Sequence, residues 1–266
     1  MTIVKAYVSI PEGQVHYRHV PGKGIPVVFL HQTASSGQMY IKAMERMQGG
    51  RPLYAFDTPG FGGSFDPDPD LKPGIDWYVD CLHAALQGCG IKRAHIAGHH
   101  TGSCIAVELA ARYPDMVQSL TMVGPVPLTD EERHAFSQHF GLPFQPTVSG
   151  SYLLDNWEYL RALGAAQDVM LFHREMADQL RAYWGRVQSY GAVWKQDFPK
   201  FYRAVACPIM IAAAEDDVLY PYLGRAAEMR PDARVLPISG ANFEPDLDAD
   251  TYVRGLEDFI AQAETA

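Results

Sequence analysis

The chain has 266 residues, 47% of them hydrophobic, with 22 Lys plus Arg against 31 Asp plus Glu, a formal charge of −9. That is enough chain to bury a core without staples, and its acidity argues against nucleic acid or an anionic membrane surface as a partner, since both need a basic face. No apolar run reaches the ~18 residues of a membrane span, the N-terminal stretch lacks the unbroken apolar core of a secretory signal, and Cys81, Cys89, Cys104 and Cys207 form no CxxC pair, so a cytoplasmic setting is expected.

In chain order, residues 5–10 and 14–19 flank the turn Pro11-Glu12-Gly13 and read as a hairpin. Residues 26–30 (PVVFL) form a continuous apolar run, the pattern of a strand buried on both faces. A helix follows Ser36-Gly37 as far as Met47, then a strand at 51–56 ending in a run of turn formers at 57–64. Helix at 76–86, strand at 94–98, helix at 102–113 and strand at 117–123 complete an alternation that predicts βαβ units around a parallel sheet. From 125 to 200 strand signals fade, and helices are predicted at 130–140, 155–166, 169–184 and 187–195. Alternation resumes with strands at 208–214 and 234–238 and helices at 223–229 and 250–263. The expected organisation is one α/β body, residues 1–124 and 201–266, carrying an inserted helical cap at 125–200.

Chemistry concentrates at Ala94-His95-Ile96-Ala97-Gly98-His99-His100-Thr101-Gly102-Ser103. A strand enters a Gly-x-x-x-Gly turn and a helix leaves it, and small residues flank the apex because neighbouring backbone crowds there. This is the frame of a nucleophile elbow, normally G-x-S-x-G, with His100 at the apex in place of serine. Four more segments belong with it. They are Leu30-His31-Gln32-Thr33, Asp57-Thr58-Pro59-Gly60-Phe61-Gly62-Gly63-Ser64, and Glu215-Asp216-Asp217 running on to Pro221, with Ser239-Gly240-Ala241-Asn242-Phe243 near the end. Together they resemble, over nearly the whole length, the α/β-hydrolase fold superfamily.

The resemblance implies a mostly parallel central sheet with the helical insertion as a lid. It puts Asp217 at the acid position and Asn242 where the catalytic histidine normally stands, and it gives the oxyanion hole to the amides of Thr33 and Thr101. Serine-esterase chemistry does not carry over to this triad. We expect His100 to act as general base or as nucleophile, with Asn242 bridging it to Asp217. His99 reads as structural, Ser103 and Cys104 face away from the apex, and Glu244 is a minor candidate for a displaced acid. His31 is expected to brace the oxyanion loop and border the substrate. The aromatic lid, with Trp157, Tyr159, Phe172, Tyr183, Trp184, Tyr190 and Trp194, suggests a small hydrophobic or aromatic carbonyl substrate, with two or three of these rings, Trp157 and Trp184 among them, against it.

No ligand spacing for a metal accompanies the histidines, and neither a metal nor another cofactor is expected. Hydrolysis of an ester, lactone, amide or activated C–C bond is the leading expectation. Lyase or decarboxylase chemistry by proton abstraction in the same pocket, and a non-catalytic ligand-binding role, stand as alternatives. A homodimer is compatible with the sequence, which does not fix the oligomeric state.

Overall fold

The computed structural model describes residues 2–265. Eight strands form one sheet in the order β1-β2-β4-β3-β5-β6-β7-β8, with β1 Val4–Ile10, β2 Gly13–Val20, β3 Val27–Leu30, β4 Leu53–Phe56, β5 Ala94–His99, β6 Val117–Val123, β7 Ile209–Ala212 and β8 Arg234–Val235. The hairpin β1–β2 and the β2–β4 pair are antiparallel, and the strands from β4 to β8 run parallel.

Strand periodicity explains the layers. Successive side chains of a strand face opposite ways, so Val28, Leu30, Ile209 and Ile211 enter one core while Val27, Phe29, Met210 and Ala212 enter the other. Helices α2 (Ile75–Gly88) and α3 (Thr101–Arg112) cover the first face; α1 (Ile41–Arg46) and the C-terminal helix Ala249–Thr265 cover the second. Burying each large apolar side chain contributes about 1.5–3 kcal/mol. No helix among the described residues is long and apolar enough to cross a membrane.

Between β6 and β7 the chain is helical: α4 Asp130–Ser137, α5 Ser151–Ala162, α6 Val169–Arg181, α7 Tyr183–Val193 and α8 Phe198–Ala204. A capping box starts α4, with the Thr129 side chain and Glu132 satisfying each other's backbone amides. The Asp168 carboxylate accepts from the amides of Met170 and Leu171 to start α6. Helices α5–α7 attach to loops at the ends of β3, β4 and β8. Ser35 and Ser36 donate to Glu175 and Asp178 of α6 (2.9 and 2.8 Å), and Arg181 reaches Gly62, Ser64 and Asp66. The Leu163 carbonyl accepts from the Asn242 amide.

Helix α8 has no counterpart in the sequence reading. It crosses the boundary set at residue 200, and Phe198 and Tyr202 lie in the core of the α/β body, against α3. The strand predicted at 234–238 pairs only over Arg234–Val235. The chain then runs through α9 (Leu223–Met229) before β8 and a short α10 (Glu244–Leu247) before α11, the C-terminal helix.

Candidate active site

The elbow between β5 and α3 is built by close approach. A Cβ on Gly98 would sit 2.3 Å from the Gly102 carbonyl oxygen, and one on Gly102 would sit 2.1 Å from that of Leu30. Glycine is therefore the residue that both positions accept. Between them His100 adopts φ 48° and ψ −107°, a region that costs a non-glycine residue about 1–3 kcal/mol and that surrounding contacts must hold. Its amide donates to the Val123 carbonyl (2.9 Å), which ties the apex to β6.

From that apex the imidazole lies over Gly124, where a Cβ would be 2.1 Å from His100 Cδ2. Its Nε2 is 2.6 Å from Asp217 Oδ2. The bridging role expected of Asn242 is corrected here, because His100 reaches the acid directly. The Asn242 carboxamide oxygen is buried without a hydrogen-bond partner, while its backbone carbonyl accepts from Gln32 Nε2 at 2.9 Å. The physical reason is reach. A serine oxygen is one bond beyond Cβ and needs a second side chain to meet the acid, whereas an imidazole spans that gap alone.

Asp217 follows β7 and is 3% exposed. Burial pushes its carboxyl up, but the His100 imidazole and hydrogen bonds from Glu244 and the Leu219 amide outweigh that and hold it below the ordinary range. Glu244 behaves oppositely: burial and the neighbouring Asp217 charge push its carboxyl well above the usual range. Its Oε1 accepts from the Ala214 amide at 3.0 Å. His99 Nε2 lies 3.0 Å from Glu244 Oε2 but is misaligned, and neither His99 nitrogen has a hydrogen-bond partner. Complete burial keeps that imidazole neutral.

Ligand-capable atoms of His99, His100 and Asp217 all fall within 4.8 Å of one another. Two ligands on a tetrahedral zinc, at ~2.0–2.1 Å each, would be roughly 3.3 Å apart. The 2.6 Å separation of His100 and Asp217 is instead that of a charge-assisted hydrogen bond. With Nε2–H donated to Asp217, the His100 lone pair is on Nδ1, which has no hydrogen-bond partner among the described residues.

Thr33 and Thr101 stand on the same cavity as His100. Neither amide has a hydrogen-bond partner among the described residues, and Thr101 opens α3, where unpaired amides and the helix dipole favour negative charge. Their hydroxyls form a chain into the lid: Thr101 Oγ1 donates to Thr33 Oγ1 (2.9 Å), which is 2.8 Å from Ser189 Oγ of α7.

The cavity, partly open to solvent, holds about 490 Å³ of atom-free space, and its apolar wall includes Phe136, Phe140, Tyr159, Tyr190, Trp194 and Leu219. Three of the seven lid aromatics named above therefore line it. Trp157 and Trp184 do not, and the expectation for them is corrected. Trp157 stacks on Phe172 at 3.8 Å, while Trp184 packs edge-on to Tyr183 and is half exposed. Phe136 and Phe140 stand i, i+4 apart, as do Tyr190 and Trp194, so each pair presents its rings on one side.

His31 is also away from the cavity wall. Its Nδ1 is 2.7 Å from the Gln32 carbonyl and its Nε2 accepts from the Thr58 amide at 2.9 Å. Burial lowers its pKa, so it is a neutral brace between the loops after β3 and β4, and its expected substrate contact is corrected. Ser103 donates to the Gly98 and Val123 carbonyls, and burial raises the Cys104 thiol far above the range of a reactive one. Gln32, Gly124 and Ser189 were not singled out in the sequence; only the packed site gives them a role.

Among known proteins, the chain is 27% identical over 212 residues to a protein named putative carbamate hydrolase RutD from Klebsiella pneumoniae, covering 76% of this chain and 77% of that one. It is 25% identical over 135 residues to a probable 1-acylglycerol-3-phosphate O-acyltransferase of Oryza sativa; the match covers 50% of this chain and only 32% of that relative's length. The crystal structure of an enol-lactonase from Burkholderia xenovorans superposes with a TM-score of 0.76 at 16% identity, covering 96% of this chain and 100% of that one, a likeness of fold. The family model for the alpha/beta hydrolase fold matches residues 25–236, and the chain belongs to that family.

Proposed function

We propose that the chain is a hydrolase of a small hydrophobic or aromatic carbonyl compound, an ester, lactone, amide or activated C–C bond, with His100 as general base. The observation that carries this reading is the 2.6 Å contact between His100 Nε2 and Asp217 Oδ2. Asp217 fixes the tautomer and stabilises the imidazolium that forms when Nδ1 takes a proton. In the proposed step, water loses a proton to Nδ1 while its oxygen bonds to the carbonyl carbon. The carbonyl electron pair moves to oxygen, beside the Thr33 and Thr101 amides, which act as oxyanion hole. Collapse of this adduct expels the leaving group, which takes the proton back from Nδ1. The aromatic wall supports the substrate class, and so do the carbonyl reactions in the names of the Klebsiella relative and the enol-lactonase.

A base role needs no covalent intermediate in a crowded elbow, which is why we prefer it to attack by Nδ1 itself. Turnover of a panel of aryl esters, lactones and 1,3-diketones tests the proposal. We expect hydrolysis by the wild type and a loss of about 10²–10⁴-fold in His100→Ala. Full activity in that variant would overturn the reading. A trapped acyl group on His100, detected by mass spectrometry, would make it the nucleophile instead. The same base could take a proton from carbon. Exchange of substrate protons with deuterated water, without hydrolysis, would assign a lyase-type reaction.

A further inference from the structure

A second cavity lies inside the lid, lined by Phe144, Tyr152, Asn156, Gln179, Tyr183 and Arg186, with about 500 Å³ of atom-free space partly open to solvent. Arg186 on α7 is 4% exposed. Its guanidinium carbon lies 4.6 Å from the Phe144 ring centroid, 4.7 Å from that of Tyr159 and 5.6 Å from that of Tyr190. Among the described residues no carboxylate pairs with this guanidinium, and its buried Nε and Nη1 have no hydrogen-bond partner. The buried carboxamide oxygen of Gln179 on α6 is unpartnered as well.

Elsewhere the chain neutralises its buried guanidinium groups. Arg174 contacts both Glu175 and Asp246, and Arg18 contacts Asp57. Arg186 has only ring faces, which attract the cation but accept none of its in-plane N–H bonds. A buried charge with unmade hydrogen bonds is costly unless something in the cavity answers it. A planar fork of donors at the wall of an aromatic chamber matches one chemistry best: a carboxylate with an apolar body.

We propose that this lid cavity is a binding site for a small organic carboxylate, held by Arg186 in a forked contact and by Gln179, with its apolar part against Phe144 and Tyr183. Gln179 turned about its terminal bond presents its NH2 group to the same anion. Tyr159 and Tyr190 separate the two chambers: they line the cavity that holds His100 and pack on Arg186 with their rings. Occupancy of the lid site therefore stiffens one wall of the reaction pocket. The carboxylate could be a separate effector or the acid released by the proposed hydrolysis. The site itself does not depend on that hydrolysis.

Calorimetric titration with benzoate, and with benzamide as its neutral isostere, tests this without turnover. We expect saturable benzoate binding to the wild type, weakened about 10- to 100-fold in Arg186→Gln. Benzamide should bind much more weakly to both proteins. Gln179→Leu is expected to weaken benzoate too, and it carries the test if Arg186→Gln does not fold. His100→Ala should bind benzoate as the wild type does. Absence of saturable binding, or unchanged affinity in the Arg186 and Gln179 variants, would overturn the proposal. So would loss of binding in His100→Ala alone, which would put benzoate at the Thr33 and Thr101 amides. With the site upheld, benzoate added to turnover assays separates the two sources. A change in KM for a substrate that releases no benzoate marks an effector, and inhibition seen only with the reaction's own acid marks a product.

Discussion

At the apex of the elbow, replacing a hydroxyl by an imidazole does more than swap one nucleophile for another. The longer ring meets Asp217 unaided, and so removes the need for a histidine at 242. Two substitutions divide this account from a three-residue relay. Asp217→Asn should lower kcat/KM at least about 100-fold, because the amide cannot stabilise the imidazolium. Asn242→Ala should stay within about tenfold of wild type, since the carboxamide contacts neither partner. Equal losses in both would restore the relay. The ring also needs its floor. Gly124→Ala would place a methyl group 2.1 Å from Cδ2, so activity should fall while the far-ultraviolet circular dichroism of the sheet and helices is unchanged. The elbow was legible in the sequence because two glycines at fixed spacing are a backbone requirement. The direct contact was not, because it depends on how far a side chain reaches across two loops.

Among the elements, α6 joins lid to body through buried acids. Asp178 accepts from Ser36 at 2.8 Å. Burial and the neighbouring Glu175 charge push its carboxyl up to about 7, against the lowering effects of Ser36 and Arg174. A folded-state value above the unfolded one means stability that is complete below about pH 4 and is lost as pH rises through about 7. Asp178→Asn keeps an acceptor for Ser36 without the charge. Thermal melts should find this variant close to wild type at about pH 4 and more stable than it at about pH 8. A gap that does not change with pH would contradict the assignment. Elements were readable in proportion to their periodicity. The apolar runs of β3, β5, β6 and β7 stand out because both faces are buried, whereas α8 is seven residues with Pro in its first turn. Its helical state comes from docking Phe198 and Tyr202 on α3, a tertiary cause that local sequence does not carry.

Over the whole molecule, the parallel strands bring the ends of β3, β5 and β7 to one edge of the sheet, so that residues from 32 to 242 share one cavity under the lid. The sequence conveyed that frame through four ordered motifs. It did not convey which lid aromatics face inward or that a lid arginine stands unpaired, since both follow from the packing of α5, α6 and α7 on one another. The proposed hydrolysis turns on the state of one imidazole in that assembled site, with the proton on Nε2 facing Asp217 and the lone pair on Nδ1. Long-range ¹H–¹⁵N correlation spectra of ¹⁵N-histidine-labelled protein, with the His100 resonance identified by its absence in His100→Ala, observe it directly. The wild type should show the neutral Nε2–H tautomer for His100, and Asp217→Asn should lose it. A neutral Nδ1–H tautomer, or a pattern unaffected by Asp217→Asn, would contradict it.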